Sequence, residues 1–271
     1  VNPVLETRAL TRRFDNRIAV DALSLEVQAG EIFGLLGPNG AGKTTTLKML
    51  TTLLPPTSGS ARVAGFDIVA QARDVRRSIG YVPQLISADG MLTGYENLLV
   101  FAKLYDVPRR ERAARLGEAI DVMGLGDAAE RLANTYSGGM IRRLEIAQSM
   151  LHRPPVLFLD EPTTGLDPIA RDAVWDHLLR LRERYGTTVI CTTHLMDEAD
   201  AFCSRLAILH RGRVVAADTP DALKAGLGKP GATLDDVFVQ VAGDTLGGHG
   251  LEEGDEFRET ARRRRAFRRL G

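Results

Sequence analysis

The chain has 271 residues, 44% apolar and 26% charged, enough to bury one sizeable core or two modest ones and far from the composition of bulk disorder. Its 35 basic and 35 acidic residues balance to zero formal charge, which argues against a generally basic surface built to coat nucleic acid. Its cysteines, Cys191 and Cys203, form neither a CxxC nor a mixed Cys/His grouping, so no disulfide framework or structural zinc site is indicated and two reduced, interior thiols are expected.

Val1 to Arg13 lacks the basic stretch and apolar segment of a secretion signal, and no apolar run in the chain approaches the roughly 18 to 20 residues that cross a bilayer. Both features predict a cytoplasmic location, with docking onto a membrane protein left open. From Ala19 to Val27 apolar and polar residues partly alternate, which predicts a strand with one wetter face. Ile32 to Leu36 is continuously apolar and predicts a buried parallel strand, followed by glycines and a helix from Lys43 to Leu53. Pro55, Pro56, Ser58 and Gly59 close that unit as a turn, and Ile79 to Val82 predicts another core strand ended by Pro83.

From Leu92 to about Leu151 the pattern turns helical. Thr93 and Glu96 form a capping-box signal, a second helix fits Arg109 to Met123, and a third follows Ser137 to Gly139 with Ile141, Leu144, Ala147, Gln148 and Leu151 on its inward side. Strand signals return at Val156 to Leu159 and Thr188 to Thr192, separated by a helix over Ile169 to Tyr185, as in a parallel sheet with crossover helices. Leu206 to His210 and Arg213 to Ala217 read as a hairpin. The signal weakens after Gly226; glycine and acidic residues fill Gly243 to Glu259 and arginines dominate Arg262 to Arg269, a frayed or weakly attached tail or else a partner-binding or lipid-facing arm. The expected division is 1–225, with a helical subdomain near 86–153, and a C-terminal extension over 226–271.

Gly37-Pro38-Asn39-Gly40-Ala41-Gly42-Lys43-Thr44 matches G-x-x-x-x-G-K-[ST] between a buried strand and a helix. In that context the glycines let successive N–H groups and the positive helix end face phosphates, Lys43 reaches between the β- and γ-phosphates, and the Thr44 hydroxyl can coordinate magnesium. Asp160 and Glu161 end the Val156 strand, where ligands collect on an open sheet. Successive side chains point oppositely, so their tasks should differ: Asp160 for magnesium, Glu161 for orienting and deprotonating an attacking water. His194, at the end of Val189 to His194, can donate to a γ-phosphate oxygen, and Gln84 can contact magnesium or the water. Ser137-Gly138-Gly139 opens a helix either as a simple cap or as an anion site for a nucleotide held by a second copy.

Taken together, these motifs resemble the ATP-binding cassette transporter ATPase family, and within it the bacterial drug- and antibiotic-exporting type related to the daunorubicin exporters. The resemblance spans roughly Leu5 to Pro220: the phosphate loop, Tyr136-Ser137-Gly138-Gly139-Met140 as the signature, Leu157 to Glu161 as the acid strand, and Gly165-Leu166-Asp167-Pro168 as the interface loop. It implies an α/β phosphate-loop NTPase with a mainly parallel core sheet, an antiparallel β subdomain and a helical insert. ATP is then held by Phe14, Gly37 to Thr44 and Thr45, and completed by Ser137, Gly138, Gly139 and Asp167 across a dimer. Mg2+ falls to Thr44, Gln84 and Asp160, and catalysis to Glu161, His194, Lys43 and Gln84.

The partners implied are a second copy, arranged head to tail and dependent on ATP, and a separate multispan permease at the inner face of the membrane. Export of drugs, antibiotics or lipid-like compounds is the function implied; a soluble cassette acting on ribosomes or nucleic acid is the alternative. Phe14 stands where tyrosine is common and keeps the stacking face, while Tyr136 and Met140 replace the usual leucine and glutamine. Met91, Leu92 and Tyr95 fit either a permease-facing surface or core. Thr233 to Phe238 is similar to a segment that supports dimer assembly in this group.

Overall fold

A computed structural model describes residues 3–246. The predicted arginine block at Arg262 to Arg269 and most of the acidic stretch before it lie outside the described residues.

The central sheet has six strands in the spatial order β10 (Arg213–Asp218), β9 (Arg205–His210), β3 (Ile32–Leu36), β8 (Thr188–Thr193), β7 (Val156–Asp160) and β6 (Ile79–Val82). Neighbours pair in parallel from β9 to β6, and β10 closes on β9 as the antiparallel hairpin. Strand side chains alternate between two cores. Ile32, Leu36, Leu157, Leu159, Val189 and Cys191 join the core on one face, and Phe33, Leu35, Val156, Phe158 and Ile190 join the other. Burial on both faces is why these segments are continuously apolar.

A second, antiparallel sheet runs β2 (Arg17–Val27), β1 (Leu5–Phe14), β4 (Ser58–Val63), β5 (Phe66–Asp67). Its inward residues, among them Leu5, Leu10, Val20 and Val63, pack with Leu47 and Leu50 of α1 (Lys43–Leu50) and with Val75 of α2 (Ala72–Arg77). Helix α1 stops at Leu50, short of the predicted Leu53. Thr51 donates its hydroxyl back to the Leu47 carbonyl at 2.8 Å, and Thr52 turns left-handed at φ +63.

The helical insert contains α3 (Gly94–Leu104), α4 (Arg109–Val122) and α5 (Gly138–Met150). The predicted capping box is formed: Thr93 accepts from the Glu96 N–H, and Glu96 accepts from the Thr93 N–H. Helix α5 departs from a simple apolar face, since Arg142, Glu145 and Gln148 are buried along it. Its start packs on α6 (Pro168–Tyr185), where a Cβ on Gly139 would sit 2.9 Å from the Ala170 Cβ.

After α7 (Met196–Phe202) and α8 (Pro220–Ala225), α9 (Leu234–Leu246) lays Leu234, Val237, Phe238 and Ala242 into the core shared with the insert. Cys191 and Cys203 are both free and buried, as expected. The architecture is the expected α/β phosphate-loop NTPase fold, with a mixed central sheet and a helical insert.

Candidate functional site

Because β3, β8, β7 and β6 are parallel neighbours, the segments leaving their carboxyl ends lie side by side. Along that edge the chain presents the Gly37–Thr44 loop, His194, Asp160 with Glu161, and Gln84.

The loop wraps the start of α1. Gly42 has φ +106, and a Cβ there would approach the Ala19 carbonyl to 2.6 Å, so only glycine fits. A Cβ on Gly37 would collide with the Leu209 carbonyl. Helix α1 carries no side-chain cap and no acid in its first turn, leaving its positive end for an external anion. Lys43 is 4% exposed; its Nζ donates to the Gly37 and Pro38 carbonyls at 2.8 and 3.2 Å and lies 3.2 Å from Glu161 Oε1.

Asp160 Oδ1 accepts from the Thr44 hydroxyl at 3.1 Å and from the Thr192 hydroxyl at 2.7 Å. Thr192 in turn accepts from the Glu161 N–H at 2.8 Å, fixing the two acids to the neighbouring strand. Glu161 adopts φ +49, which turns its carboxylate out of the strand path. Its Oε2 accepts from Thr164 at 3.0 Å and stands 3.2 Å from His194 Nδ1, without the alignment of a hydrogen bond. Burial pushes the Glu161 carboxyl up, but Lys43, Thr164 and His194 outweigh it and hold the group below its ordinary value.

A cleft of about 560 Å3 opens over this edge, lined by Phe14, Asn39, Gly40, Gly42, Lys43, Thr44, Thr45, Gln84 and Glu161, together with Arg17 and Ala19. Phe14 enters it from the tip of the β1–β2 hairpin, paired with Arg17. The Arg12 guanidinium covers one face of the Phe14 ring at 4.6 Å. Gly37, Pro38 and Ala41 of the same loop and His194 lie outside the cleft lining, and Asp160 sits beneath it, 1% exposed.

Ser137, Gly138, Gly139 and Asp167 are absent from that lining. Ser137 caps α5, accepting from the Met140 N–H at 3.3 Å, and Asp167 caps α6, accepting from the Ala170 N–H at 2.9 Å. Within one chain these two helix starts pack on each other and not on the phosphate loop: a Cβ on Gly138 would lie 3.2 Å from Leu166. Thr192, Thr164, Arg12 and Arg17 are the contributors that the sequence did not single out. The T-T pair before His194 was the available signal for Thr192, since one of two adjacent strand residues must share the sheet face of the Asp160 side chain.

The family model for ABC transporters matches residues 20–164, which include the loop, the Ser137 segment and both acids. The chain belongs to the ABC transporter family. It is an ATP-binding, ATP-hydrolysing member of it, 49% identical over 224 residues to the daunorubicin/doxorubicin resistance ATP-binding protein of Streptomyces peucetius, covering 83% of this chain and 68% of that protein. It is 43% identical over 219 residues to the Nod factor export ATP-binding protein I of Burkholderia thailandensis, covering 81% of this chain and 72% of that one. Among solved structures, a dimeric ATP-binding cassette in a post-hydrolysis state with ADP and Pi matches with a TM-score of 0.70 at 27% identity, over 79% of this chain and 98% of that one. Among the described residues of this ABC ATPase, no helix is long and apolar enough to cross a membrane.

Proposed function

We propose that this ABC ATPase is the energising subunit of an exporter for drug, antibiotic or lipid-like compounds, acting as a head-to-tail dimer on a separate membrane permease. The observation that carries the reading is the division of the phosphate-binding parts. The Gly37–Thr44 loop and Glu161 share one cleft, whereas the Ser137 end of α5 is exposed and outside it. A second copy supplies Ser137, Gly138, Gly139 and Asp167 over the first copy's ATP, burying the phosphates and excluding water. The dimeric neighbour supports dimerisation, and the drug-resistance and Nod factor export relatives support export.

In this reading Lys43 and the loop amides hold the β- and γ-phosphates, Phe14 stacks on the adenine with the face not covered by Arg12, and Glu161 orients the attacking water and takes its proton. His194 donates to the γ-phosphate. Thr44, Asp160 and Gln84 suit Mg2+: they are hard oxygen donors, and Thr44 and Asp160 already touch. Among the described residues no group of three or more His, Cys, Asp or Glu is placed to hold a metal ion, and Thr44, Asp160 and Gln84 are the residues that would hold it. Such an ion neutralises charge on the phosphates. Leu85 and Ile86, next to Gln84, and Met91 ahead of α3 are exposed, and in this reading they contribute to the permease-docking surface. Tyr95 packs on the core instead.

Glu161→Gln tests the assignment. Turnover measured by phosphate release falls by about 10²- to 10⁴-fold, and an ATP-bound dimer accumulates in light scattering. Normal turnover in that variant overturns the role of Glu161. Gentle extraction from native membranes recovers a multispan partner; recovery of none overturns the transport coupling.

A further inference from the structure

The buried polar stripe of α5 is not used by the chemistry above. Arg142 and Glu145 are 7% and 2% exposed, one helical turn apart on the same face, and Gln148 follows at 1%. Arg142 and Glu145 reach the segment that leaves β6 directly, and Gln148 reaches it through Asn97 of α3. Arg142 donates to the Pro83 carbonyl at 2.7 Å and to the Gln84 carbonyl at 3.1 Å. Glu145 Oε1 accepts from the Ser87 N–H at 2.5 Å and its hydroxyl at 2.9 Å, while Oε2 lies 3.0 Å from Arg142. Gln148 donates to Asn97, which itself donates to the Asp89 carbonyl and accepts from the Asp89 N–H.

Burying an ion pair is costly, and an apolar pair would hold α5 against the core as well. What the charges add is direction: a guanidinium fork fixed on two successive carbonyls sets the backbone of Gln84, and the carboxylate fixes the turn three residues on. The N-terminal cap of the same helix is Ser137. We propose that Arg142 and Glu145 are positioning residues that make the Ser137 end of α5 and the Gln84 segment one body, so that nucleotide engaged by Ser137 in one copy sets Gln84 in the same chain's own cleft. Contact across the dimer thereby adjusts the site that belongs to the contacting chain, and the exposed Leu85 and Ile86 move with it. The inference rests on the two-chain site proposed above.

A kinetic cycle with Gln84 tests it. Arg142→Lys keeps the charge but loses the two-carbonyl fork; in the folded variant kcat falls about tenfold while KM and nucleotide binding to the isolated chain stay within about twofold. Gln84→Ala lowers kcat on its own, and in that background Arg142→Lys costs less than about twofold more. Full multiplication of the two losses, or an unchanged kcat in folded Arg142→Lys, overturns the inference. If Arg142→Lys does not fold, Ser87→Ala decides: kcat drops about threefold and Ser87→Thr restores it, whereas no drop overturns the inference. Glu161→Gln is run alongside. Failure of that chain to dimerise with ATP overturns the two-chain site and this inference with it; a normal dimer with multiplying losses overturns this inference alone.

Discussion

Lys43 Nζ and Glu161 Oε1 stand 3.2 Å apart in a pair whose side chains are 4% and 8% exposed. The lysine of the phosphate loop and the acid proposed to orient the attacking water thus neutralise each other. A polyphosphate competes for Lys43, so binding itself alters the charge that Glu161 feels.

Replacing Lys43 with Met leaves burial as the foremost influence on Glu161 and moves its carboxyl upward. Carboxyl NMR of the nucleotide-free chain reads this directly. With Lys43 present, the depressed group contributes stability above the free-carboxyl value of 4.5, and that contribution is lost as pH falls through the folded value. An unmoved resonance in Lys43→Met breaks the link between the two residues.

Thr192→Val removes the donor to Asp160 and the acceptor for the Glu161 N–H while keeping the side-chain shape. The expected cost is about 1–3 kcal/mol in a urea melt, because both groups lie in the interior. Thr192→Ser restores stability and turnover together.

Arg12→Ala strips the guanidinium from Phe14 and weakens nucleotide binding by about two- to fivefold, the value of an exposed cation–π contact. Phe14→Ala weakens it further, and calorimetry on the Glu161→Gln background measures both without turnover. Equal affinities in Arg12→Ala and the parent would remove Arg12 from the account.

His152 stacks on Tyr105 with ring centroids 3.9 Å apart, and burial pushes its pKa down from 6.5 to about 4. The unfolded chain therefore takes up a proton that the folded chain refuses across that interval, so stability drops as pH falls from 6.5 toward 4. The loss is on the order of 2 kcal/mol once screening at the ring's exposed edge is allowed for. His152→Gln flattens the profile measured by urea melts.

The strands β3, β7 and β8 were legible because two-sided burial leaves short continuous apolar runs, and the phosphate loop because its glycine and Lys-Thr spacing follows one of those runs. β1 was not. Leu5–Phe14 carries three arginines and only partial burial, and its alternation breaks where Ala9 turns to φ +46 and the register with β2 shifts between Thr7 and Leu10. The Arg142–Glu145 pair was hidden for the opposite reason. A helical period marks which side faces inward when the inward residues are apolar, and charged residues on α5 read as solvent-facing until their partners, Pro83, Gln84 and Ser87, are in place.

Both thiols of the chain are interior, with Cys191 fully enclosed and pushed further from the thiolate form by a contact from Cys203 and by burial. In the folded state both thiols are therefore shielded from thiol-directed reagents. A cysteine introduced at exposed Met91 or Ile169 would carry a spin label or fluorophore over a low background, and pairs of such probes would time the proposed opening and closing of two copies without first rebuilding the protein free of cysteine.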